Sequence, residues 1–439
     1  MDHERPDVLR SPHPGGRGQW AARILVVAIA GLAVFLGMSM ATQRPASAEG
    51  ETIRVTLATS LSGPIEGVEV TVTDDSGDEV AQGDTDDKGR FDAELPGPGD
   101  YTVTIDADDL PEGVSAAATE RQVSVAQAEV ERPAFGLSDG STGGGGGAGR
   151  ILQLLVEGLR FGLLIAICAV GLSLIFGTTG LTNFAHGELV AIGAIVAWFL
   201  NVDAGVPLIA ATAIAMVVGG LVGWLNDVAL WGPLRRRGSG LVAMLVISIG
   251  LSLALRYLLN IVFGGRSQPF SDYRGQRAND YGPVSLTDKD LYSIAISLVV
   301  LVMVALMLQR TKIGKAMRAV ADNRDLAASS GINVDGVIRF VWIVGGSLAA
   351  LGGVLFGLSD EVSWDMGFKL LLLMFAGITL GGLGTAYGAL LGSIIVGVFV
   401  QLSTLVIADE LKYVGGLLLL IVILVVRPQG LLGSRARVG

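Results

Sequence analysis

From residue 151 onward, long apolar runs alternate with short polar stretches along the chain. Each run approaches the roughly 20 apolar residues that a helix needs to cross the hydrocarbon of a bilayer. The pattern predicts an α-helical polytopic membrane protein with about eight or nine transmembrane helices within 150–439. The predicted spans are 151–177, 183–200, 206–230, 240–263, 290–309, 337–359, 368–383, 385–407 and 411–427. The stretch 368–407 is also compatible with a re-entrant pair.

Residues 51–136 follow a different pattern, in which apolar and polar residues alternate. The alternation is clearest in 68–73 and 101–105, which are rich in β-branched residues and therefore favour strands. Turn sequences such as Asp87-Lys88-Gly89 separate the short runs, so we predict a small all-β sandwich outside the membrane. Further strand candidates are 53–57, 91–95 and 123–125.

The first 48 residues have the layout of a secretory signal. A polar, arginine-containing start precedes the apolar run 24–40, and Ala46-Ser47-Ala48 provides a small-x-small cleavage pattern. We predict a signal peptide or an uncleaved signal anchor, and either one exports residue 49 onward. The glycine-rich stretch 137–149 is predicted to be a flexible linker between the sandwich and the spans.

Composition agrees with a membrane protein, because 51% of the 439 residues are hydrophobic and only 16% are charged. Soluble domains carry about 25% charged residues. The net charge of −10 is unevenly distributed, with 20 acidic and 5 basic residues in 51–136 but 16 acidic and 21 basic residues in 150–439. The pattern indicates an acidic module joined to a mildly basic membrane body, and we predict no nucleic-acid partner.

Basic residues also predict the orientation of the spans. The stretches 235–237, 310–324 and 427–437 are arginine-rich or lysine-rich and are expected to be cytoplasmic. With a cytoplasmic C-terminus, nine crossings place Arg150 outside, where export of the sandwich also requires it. We therefore predict a multi-pass plasma-membrane protein with residues 49–149 extracytoplasmic.

The sequence predicts neither a metal site nor a cofactor site. Cys168 lies in an apolar run and is interpreted as a small buried hydrophobe. His3 and His13 belong to the leader, which leaves one histidine in the body of the protein. The aspartates of the sandwich are interpreted as a solvated acidic face, with weak cation binding as the alternative. They are Asp74, Asp75, Asp84, Asp86 and Asp87.

Two polar interruptions of the apolar pattern are candidates for a translocation path. Asn183, His186 and Glu188 stand at the start of the second span, where polar groups are costly unless they are paired or face water. They form either a joint that lines or closes the path, or a helix cap with Asn183 as the N-cap residue. The second interruption allows either close helix packing or a helix break on the path. It consists of Gly381, Gly382, Gly384 and Thr385.

The polar segment 311–336 between two spans predicts one short amphipathic helix that ends near Gly331. Such a helix on the basic side is suited to docking in a partner's groove, although a membrane-surface loop is the alternative. Its candidate docking residues are Met317, Arg318, Val320, Asp322, Arg324, Ala327, Ala328 and Gly331.

This segment resembles the coupling loop of ATP-binding cassette (ABC) importer permeases, in the form found in the LIV family for branched-chain amino acids. Further resemblances lie in 171–177 leading into 183–188, in Gly367-Phe368-Lys369 with 381–384, and in 427–433. They occur in the family's order, cover nearly all of 150–439 and match its LivH-like branch. Separately, 60–110 resembles the carboxypeptidase regulatory-like family of extracellular sandwiches.

The resemblance implies a permease subunit that translocates branched-chain or other hydrophobic amino acids by alternating access. It implies four kinds of contact: two cytoplasmic ABC ATPase subunits, a second LIV-type permease subunit, an extracytoplasmic substrate-binding protein, and membrane lipid. The chain has no Gly-x-x-x-x-Gly-Lys-[Ser/Thr] sequence, so we expect ATP hydrolysis on the partners and no catalytic residues here. Bulky or charged changes at Ala327 or Gly331 are expected to uncouple transport from ATP hydrolysis while leaving membrane insertion intact.

Other functions remain open at this point. A related permease for urea or short-chain amides would share the Asn-x-Ala-His-Gly-Glu sequence of 183–188. An ion-driven secondary transporter or a channel would use Glu157, Glu188 and Asp227 as ion groups. A surface adhesion protein would use the sandwich, with the spans as its anchor. In a permease, the sandwich could dock or tether the binding protein, or act as a spacer or cell-wall contact.

Overall fold

The computed structural model describes residues 51–59, 63–111, 114–116, 119–125, 130–131, 133, 135, 137–139, 147–265, 267–271, 278–407, 411–426 and 430–432. The predicted signal segment, the centre of the predicted linker and most of the basic C-terminal tail lie outside these residues. Both ends of that linker have regular secondary structure, since a strand occupies Leu137–Asp139 and a helix begins at Gly147.

The N-terminal part is all-β, as the alternating pattern predicts. A four-stranded antiparallel sheet has the order β5-β4-β7-β9, and a three-stranded sheet has the order β10-β1-β6. Each of the five predicted strand candidates overlaps a strand. The strand β5 was not predicted, because Glu-Val-Ala-Gln-Gly-Asp lacks the alternation of β-branched and polar residues. The strands are β1 (Thr52–Thr56), β2 (Ala58–Thr59), β3 (Gly63–Pro64), β4 (Glu69–Asp74), β5 (Glu79–Asp84), β6 (Arg90–Glu94), β7 (Gly99–Ile105), β8 (Val114–Ala116), β9 (Glu120–Val125), β10 (Val130–Glu131) and β11 (Leu137–Asp139).

The core of this part is formed by every second residue of the strands, including Val55 of β1, Val70 of β4 and Val103 of β7. Two of the candidate cation-binding aspartates accept backbone hydrogen bonds within turns. Asp74 Oδ1 accepts the backbone N–H groups of residues 76 and 78. Asp86 Oδ1 accepts those of residues 88 and 90, and these bonds, chiefly the one from Arg90, lower the pKa of the Asp86 carboxyl.

Every predicted span coincides with a helix. Within the described residues, seven helices are long and apolar enough to cross a membrane, whereas α10 and α12 are shorter. Two π-helical turns, Phe199–Asp203 and Asp227–Trp231, extend α2 and join α3 to α4, and a hairpin of β12 (Asn279–Tyr281) and β13 (Val284–Leu286) precedes α6. The helices are α1 (Gly147–Thr179), α2 (His186–Trp198), α3 (Leu208–Asn226), α4 (Gly232–Arg236), α5 (Leu241–Phe263), α6 (Asp288–Arg310), α7 (Lys312–Asp322), α8 (Arg324–Ser329), α9 (Val334–Asp360), α10 (Met366–Gly381), α11 (Ala386–Ser403) and α12 (Lys412–Val426).

The centre of the bundle consists of α1, α2 and α9, which are largely buried, whereas α5 is mostly exposed. Small residues allow these helices to approach closely. A Cβ on Gly397 of α11, for example, would lie 2.3 Å from the Cα of Gly162 in α1. The apolar surface left on α5 is therefore available to lipid or to another membrane protein.

One end of the bundle, which we call the basic end, carries Arg235 and Arg324. Arg324 Nη2 donates to the Thr178 carbonyl at the C-terminal end of α1, at 2.6 Å. The turn after α10 lies beside the same end of α1, because a Cβ on Gly177 would be 2.9 Å from Gly384 O. Helices α1 and α10 therefore both end at the basic end, and α7 and α8 lie there too.

Candidate functional site

The second span does not begin at the basic end, where α1 ends. The chain first turns at Gly180 (φ +69°) and runs back without helical structure, and α2 starts only at His186. The His186 imidazole Nε2 donates to the Cys168 carbonyl of α1 at 3.2 Å. With a rise of 1.5 Å per residue, Cys168 lies about 16 Å from the end of α1 at Thr179. Helix α2 therefore begins near the middle of the bundle.

Helix α10 begins at the same depth. The chain leaves α9 through Glu361 (φ +63°), and α10 starts at Met366. A Cβ on Gly367 would lie only 2.0 Å from Gly187 O, so the first turns of α2 and α10 touch. The residues before these helices, Ala185 and Asp365, make no side-chain capping bond. Two helix N-termini therefore meet inside the bundle, each with backbone N–H groups that no capping side chain satisfies.

Replacement of Gly367 by alanine is expected to disrupt this contact. The new methyl group has no room against the Gly187 backbone, so the first turns of α2 and α10 would be forced apart. We expect a cost of about 1–3 kcal/mol, the usual range for overpacking. The melting temperature of the detergent-solubilised protein measures it.

The matched control is Gly250→Ala in α5, where nothing lies within 4 Å of the added Cβ. This variant should melt like the parent protein. Equal melting temperatures for the two alanine variants would show that the helix junction is looser than described.

Glu188 in the first turn of α2 is fully buried and faces α5. Its Oε1 accepts a hydrogen bond from Ser252 Oγ at 2.9 Å and bonds from Arg256 Nη2 and Nε at 3.2 and 3.3 Å. Its Oε2 has no hydrogen-bond partner among the described residues. The ion pair offsets the cost of burying the charge, but one buried carboxylate oxygen is left without a hydrogen bond from the described residues.

A second ion pair lies next to the first. Asp365, just before α10, contacts Lys369 with an oxygen–nitrogen distance of 3.0 Å, and the contact between Gly187 and Gly367 brings the start of α10 beside the first turn of α2, which carries Glu188. Lys369 lies about 18 Å from the end of α10 at Gly381, by helical rise, and thus near the middle of a ~30 Å hydrocarbon layer. Its side chain is nevertheless 46% exposed and that of Asp365 30% exposed. Charged groups avoid lipid at this depth, so this face requires water or a second protein.

Aromatic side chains also join α5 to the start of α10. The guanidinium carbon of Arg256 lies 3.8 Å from the centre of the Phe368 ring, a cation–π contact. Trp364 stacks with Tyr257 of α5 at 6.4 Å between ring centres. The junction of α2, α5 and α10 therefore combines charged groups of both signs with an apolar border. We call Glu188, Arg256, Asp365 and Lys369 the charged quartet.

The other residues predicted to line the path lie outside the charged quartet. Asn183 is not the N-cap of α2, because its Oδ1 accepts the N–H of Ala185 and the helix starts one residue later. His186 is buried against α1, away from the quartet. The structure does not bring Gly381, Gly382, Gly384 and Thr385 to this junction. They form the turn between α10 and α11 at the basic end, with φ +110° at Gly382 and +79° at Gly384.

The candidate ion-binding carboxylates are held separately. Glu157 accepts bonds from the side-chain amides of Gln153 and Gln401, and Asp227 pairs with Arg235 at 2.6 Å. In the described part of the chain, no group of three or more His, Cys, Asp and Glu residues could hold a metal ion. Of the three carboxylates, Glu188 alone is a member of the quartet.

Sequence reasoning singled out neither Arg256 nor Asp365, and it used Lys369 only for a family resemblance. A signal was present for two of them, because Arg256 and Lys369 each interrupt an otherwise apolar run. Asp365 lies in a polar stretch between spans and gave no such signal. Its place beside Glu188 depends on the meeting of α2 and α10.

The predicted single amphipathic helix is in fact two helices, α7 and α8. Asn323 between them is extended, with φ −155° and ψ 108°, and its side chain accepts the N–H of Leu326. This asparagine ends α7 and caps α8. The helical stop at Gly331 agrees with the prediction, since this residue has φ +84°.

The candidate docking residues divide into two groups. Met317, Val320 and Ala327 are buried within the chain itself and therefore hold the loop against the bundle. A charged residue at Ala327 would disturb this packing, so we expect it also to destabilise the permease. Exposed positions form the outer surface of the loop. They include Arg318, Asp322, Arg324, Ala328 and Gly331, together with Leu326, which the sequence analysis did not select.

Comparison with known proteins identifies both parts of the chain. The profile of the family described as "Branched-chain amino acid transport system / permease component" matches residues 154–426. The profile of the "Carboxypeptidase regulatory-like domain" matches residues 52–135. These matches confirm the two resemblances and the fold classes predicted from them.

Three relatives are similar to the permease part. The high-affinity branched-chain amino acid transport system permease protein LivH of Escherichia coli (strain K12) is 30% identical over 295 residues, which cover 64% of this chain and 95% of the relative. BraD of Pseudomonas aeruginosa, named as the same kind of permease, is 29% identical with the same coverage. A probable LivH of Methanocaldococcus jannaschii is 30% identical over 64% of this chain and 92% of the relative. This chain therefore belongs to the family of branched-chain amino acid transport system permease components, and it is a multi-pass plasma-membrane transport component and not an enzyme.

Proposed function

We propose that the chain is the permease subunit of an ABC importer that moves branched-chain or other hydrophobic amino acids across the plasma membrane by alternating access. The observation that carries the proposal is the family match over 154–426, with relatives that are named as branched-chain amino acid permeases over nearly their whole length. We infer the substrate and the transport cycle of this chain from that similarity.

The translocation path is proposed to pass the junction of α2, α5 and α10 beside Glu188, and Asn183 and His186 are proposed to support it from the segment that leads into α2. The exposure of Asp365 and Lys369 near mid-depth supports this location, because lipid does not solvate charged groups. A second LIV-type permease subunit would cover this face and enclose the path. The exposed apolar surface of α5 offers it an area for contact.

Two cytoplasmic ABC ATPase subunits are proposed to drive the cycle, one docking on the exposed surface of α7 and α8. Leu326 supports this assignment, since it is a large apolar side chain with 64% of its surface exposed in a polar loop. The bond from Arg324 to the Thr178 carbonyl joins the loop to α1. A displacement of the loop would thus reach the helix that contacts His186.

The proposed orientation puts the basic end in the cytoplasm, in accord with the positive-inside rule. Residues 49–149 then lie outside, where an extracytoplasmic substrate-binding protein delivers the amino acid. The proposed domains are a signal segment to residue 48, the sandwich over 51–136, a linker to 149 and the permease from 150. The role of the sandwich is either docking or tethering of the binding protein, or a spacer or cell-wall contact.

Uptake of radiolabelled leucine tests the proposed function, measured in proteoliposomes with the ATPases, the second permease and the binding protein. We expect uptake that requires ATP and falls when unlabelled leucine is in excess, but not when urea is in excess. Competition by urea alone would replace the amino acid with urea or short amides. Uptake that persists without ATP while an ion gradient is preserved would contradict the ABC mechanism.

A further inference from the structure

The charged quartet has an unusual composition for the interior of a membrane bundle. It contains two carboxylates, one guanidinium and one ammonium group, so its formal charge is zero although each member is charged. A site of this kind neither attracts nor repels a net charge strongly. It matches a ligand that carries one positive and one negative group close together.

The quartet leaves one carboxylate oxygen of Glu188 without a hydrogen-bond partner among the described residues. Its Oε1 takes the bonds from Ser252 and Arg256, while Oε2 is buried without a partner among the described residues. An unsatisfied buried carboxylate oxygen is costly, and a donor that reached it would remove this cost. An ammonium group provides such donors and the complementary charge.

The ion pair of Asp365 and Lys369 lies on the exposed side of the quartet. Asp365 and Lys369 are partly exposed, whereas Glu188 is fully buried and Arg256 is nearly so. A polar ligand that arrived along the exposed face would therefore meet Asp365 and Lys369 before Glu188 and Arg256. The contact between Gly187 and Gly367 holds the two helix starts at one depth.

We propose that the charged quartet binds the zwitterionic head group of the amino acid during its passage through the membrane, an inference that rests on the proposed function. The α-ammonium group is bound by the carboxylates of Glu188 and Asp365. The α-carboxylate is bound by Arg256 and Lys369. The apolar side chain of the amino acid lies along Phe368, whose ring contacts Arg256, and along the stacked rings of Trp364 and Tyr257.

The exposed pair gives the cleanest test, because its loss costs little folding free energy. Asp365→Asn and Lys369→Gln are introduced singly into the complete transporter in proteoliposomes. We expect leucine uptake to fall roughly tenfold or more in each, the scale of a lost charge-assisted bond. Copurification of the ATPase subunits with each variant should match that of the parent, because α7 and α8 lie at the basic end, about 18 Å from Lys369 by helical rise.

Asp360→Asn is the matched control, because it neutralises an exposed carboxylate five residues before Asp365 that contacts Tyr413 instead of the quartet. Its uptake should equal that of the parent. A further variant, Asp365→Lys combined with Lys369→Asp, keeps the pair and its charge but exchanges the two positions. Uptake should stay low in this exchange variant, because the head group would meet the wrong charges.

Three results would overturn the head-group site. The first is uptake by the single variants within about twofold of the parent, and the second is full recovery of uptake in the exchange variant. The third is failure of the variants to assemble into a transporter, because the pair would then have a structural role. Leucine uptake by the parent transporter is measured first in the same vesicles. Its absence would refute the proposed substrate and the head-group site together, whereas normal uptake in parent and variants alike would refute the site alone.

Discussion

Arg256→Met is expected to remove about 3–5 kcal/mol of folding free energy, the cost of breaking a buried ion pair from one side. The change leaves the fully buried Glu188 carboxylate with a single neutral donor, Ser252, and also removes the cation–π contact with Phe368. Most of the protein should then aggregate or be degraded. The monodisperse fraction in size-exclusion chromatography and the melting temperature of the solubilised protein report this loss.

The companion variant, Arg256→Met with Glu188→Gln, separates the unpaired charge from the lost packing. The glutamine is neutral and can still bond to Ser252, so folding should recover in large part. Stability of Arg256→Met equal to that of the parent would show that water reaches Glu188 and that the ion pair contributes little.

Leu326→Asp is expected to abolish ATP-driven uptake while leaving the permease folded. This side chain is exposed in α8, and we propose that it anchors the docking surface; loss of such an anchor costs about 2 kcal/mol or more of binding free energy. That corresponds to roughly a thirtyfold loss of affinity for the ATPase. Copurification of the ATPase subunits with the permease, together with leucine uptake, measures the effect.

Two changes in the same helix serve as controls. Leu326→Met keeps an apolar side chain of similar volume and should retain the ATPase and the uptake. Ala327→Asp affects the buried neighbour, which is only 3% exposed, and should lower the melting temperature of the permease itself. Full retention of the ATPase by Leu326→Asp would remove α8 from the docking surface.

The helices and strands of this protein could largely be predicted from local pattern. Each apolar run became a helix within a few residues of its predicted bounds, because satisfying the backbone polar groups inside a bilayer leaves little alternative to helix. The strands with alternating β-branched residues were found in the same way. The strand β5 was missed because its alternation of apolar and polar residues is weak. The single helix predicted over the loop was wrong because the Asn323 side chain caps α8 and so divides that helix into α7 and α8.

The candidate site was only partly predictable. The sequence selected Glu188, since a lone carboxylate in an apolar run is expensive, but it could not identify Arg256 as its partner 68 residues away. The sequence also did not show that Glu188 and the path candidates Gly381, Gly382 and Gly384 lie most of the length of α10 apart. Contact between distant residues depends on which helices pack together, and hydrophobic periodicity does not encode that choice.

The sequence by itself determined the membrane class, the acidic sandwich, the approximate spans and the family, because burial of apolar surface and backbone hydrogen bonding act through composition and short-range pattern. The tertiary structure alone decided that α2 and α10 begin inside the bundle and meet at Gly187 and Gly367. That meeting brings Glu188, Arg256, Asp365 and Lys369 together. It follows from the close approach of two glycine backbones, which only the packed helices reveal.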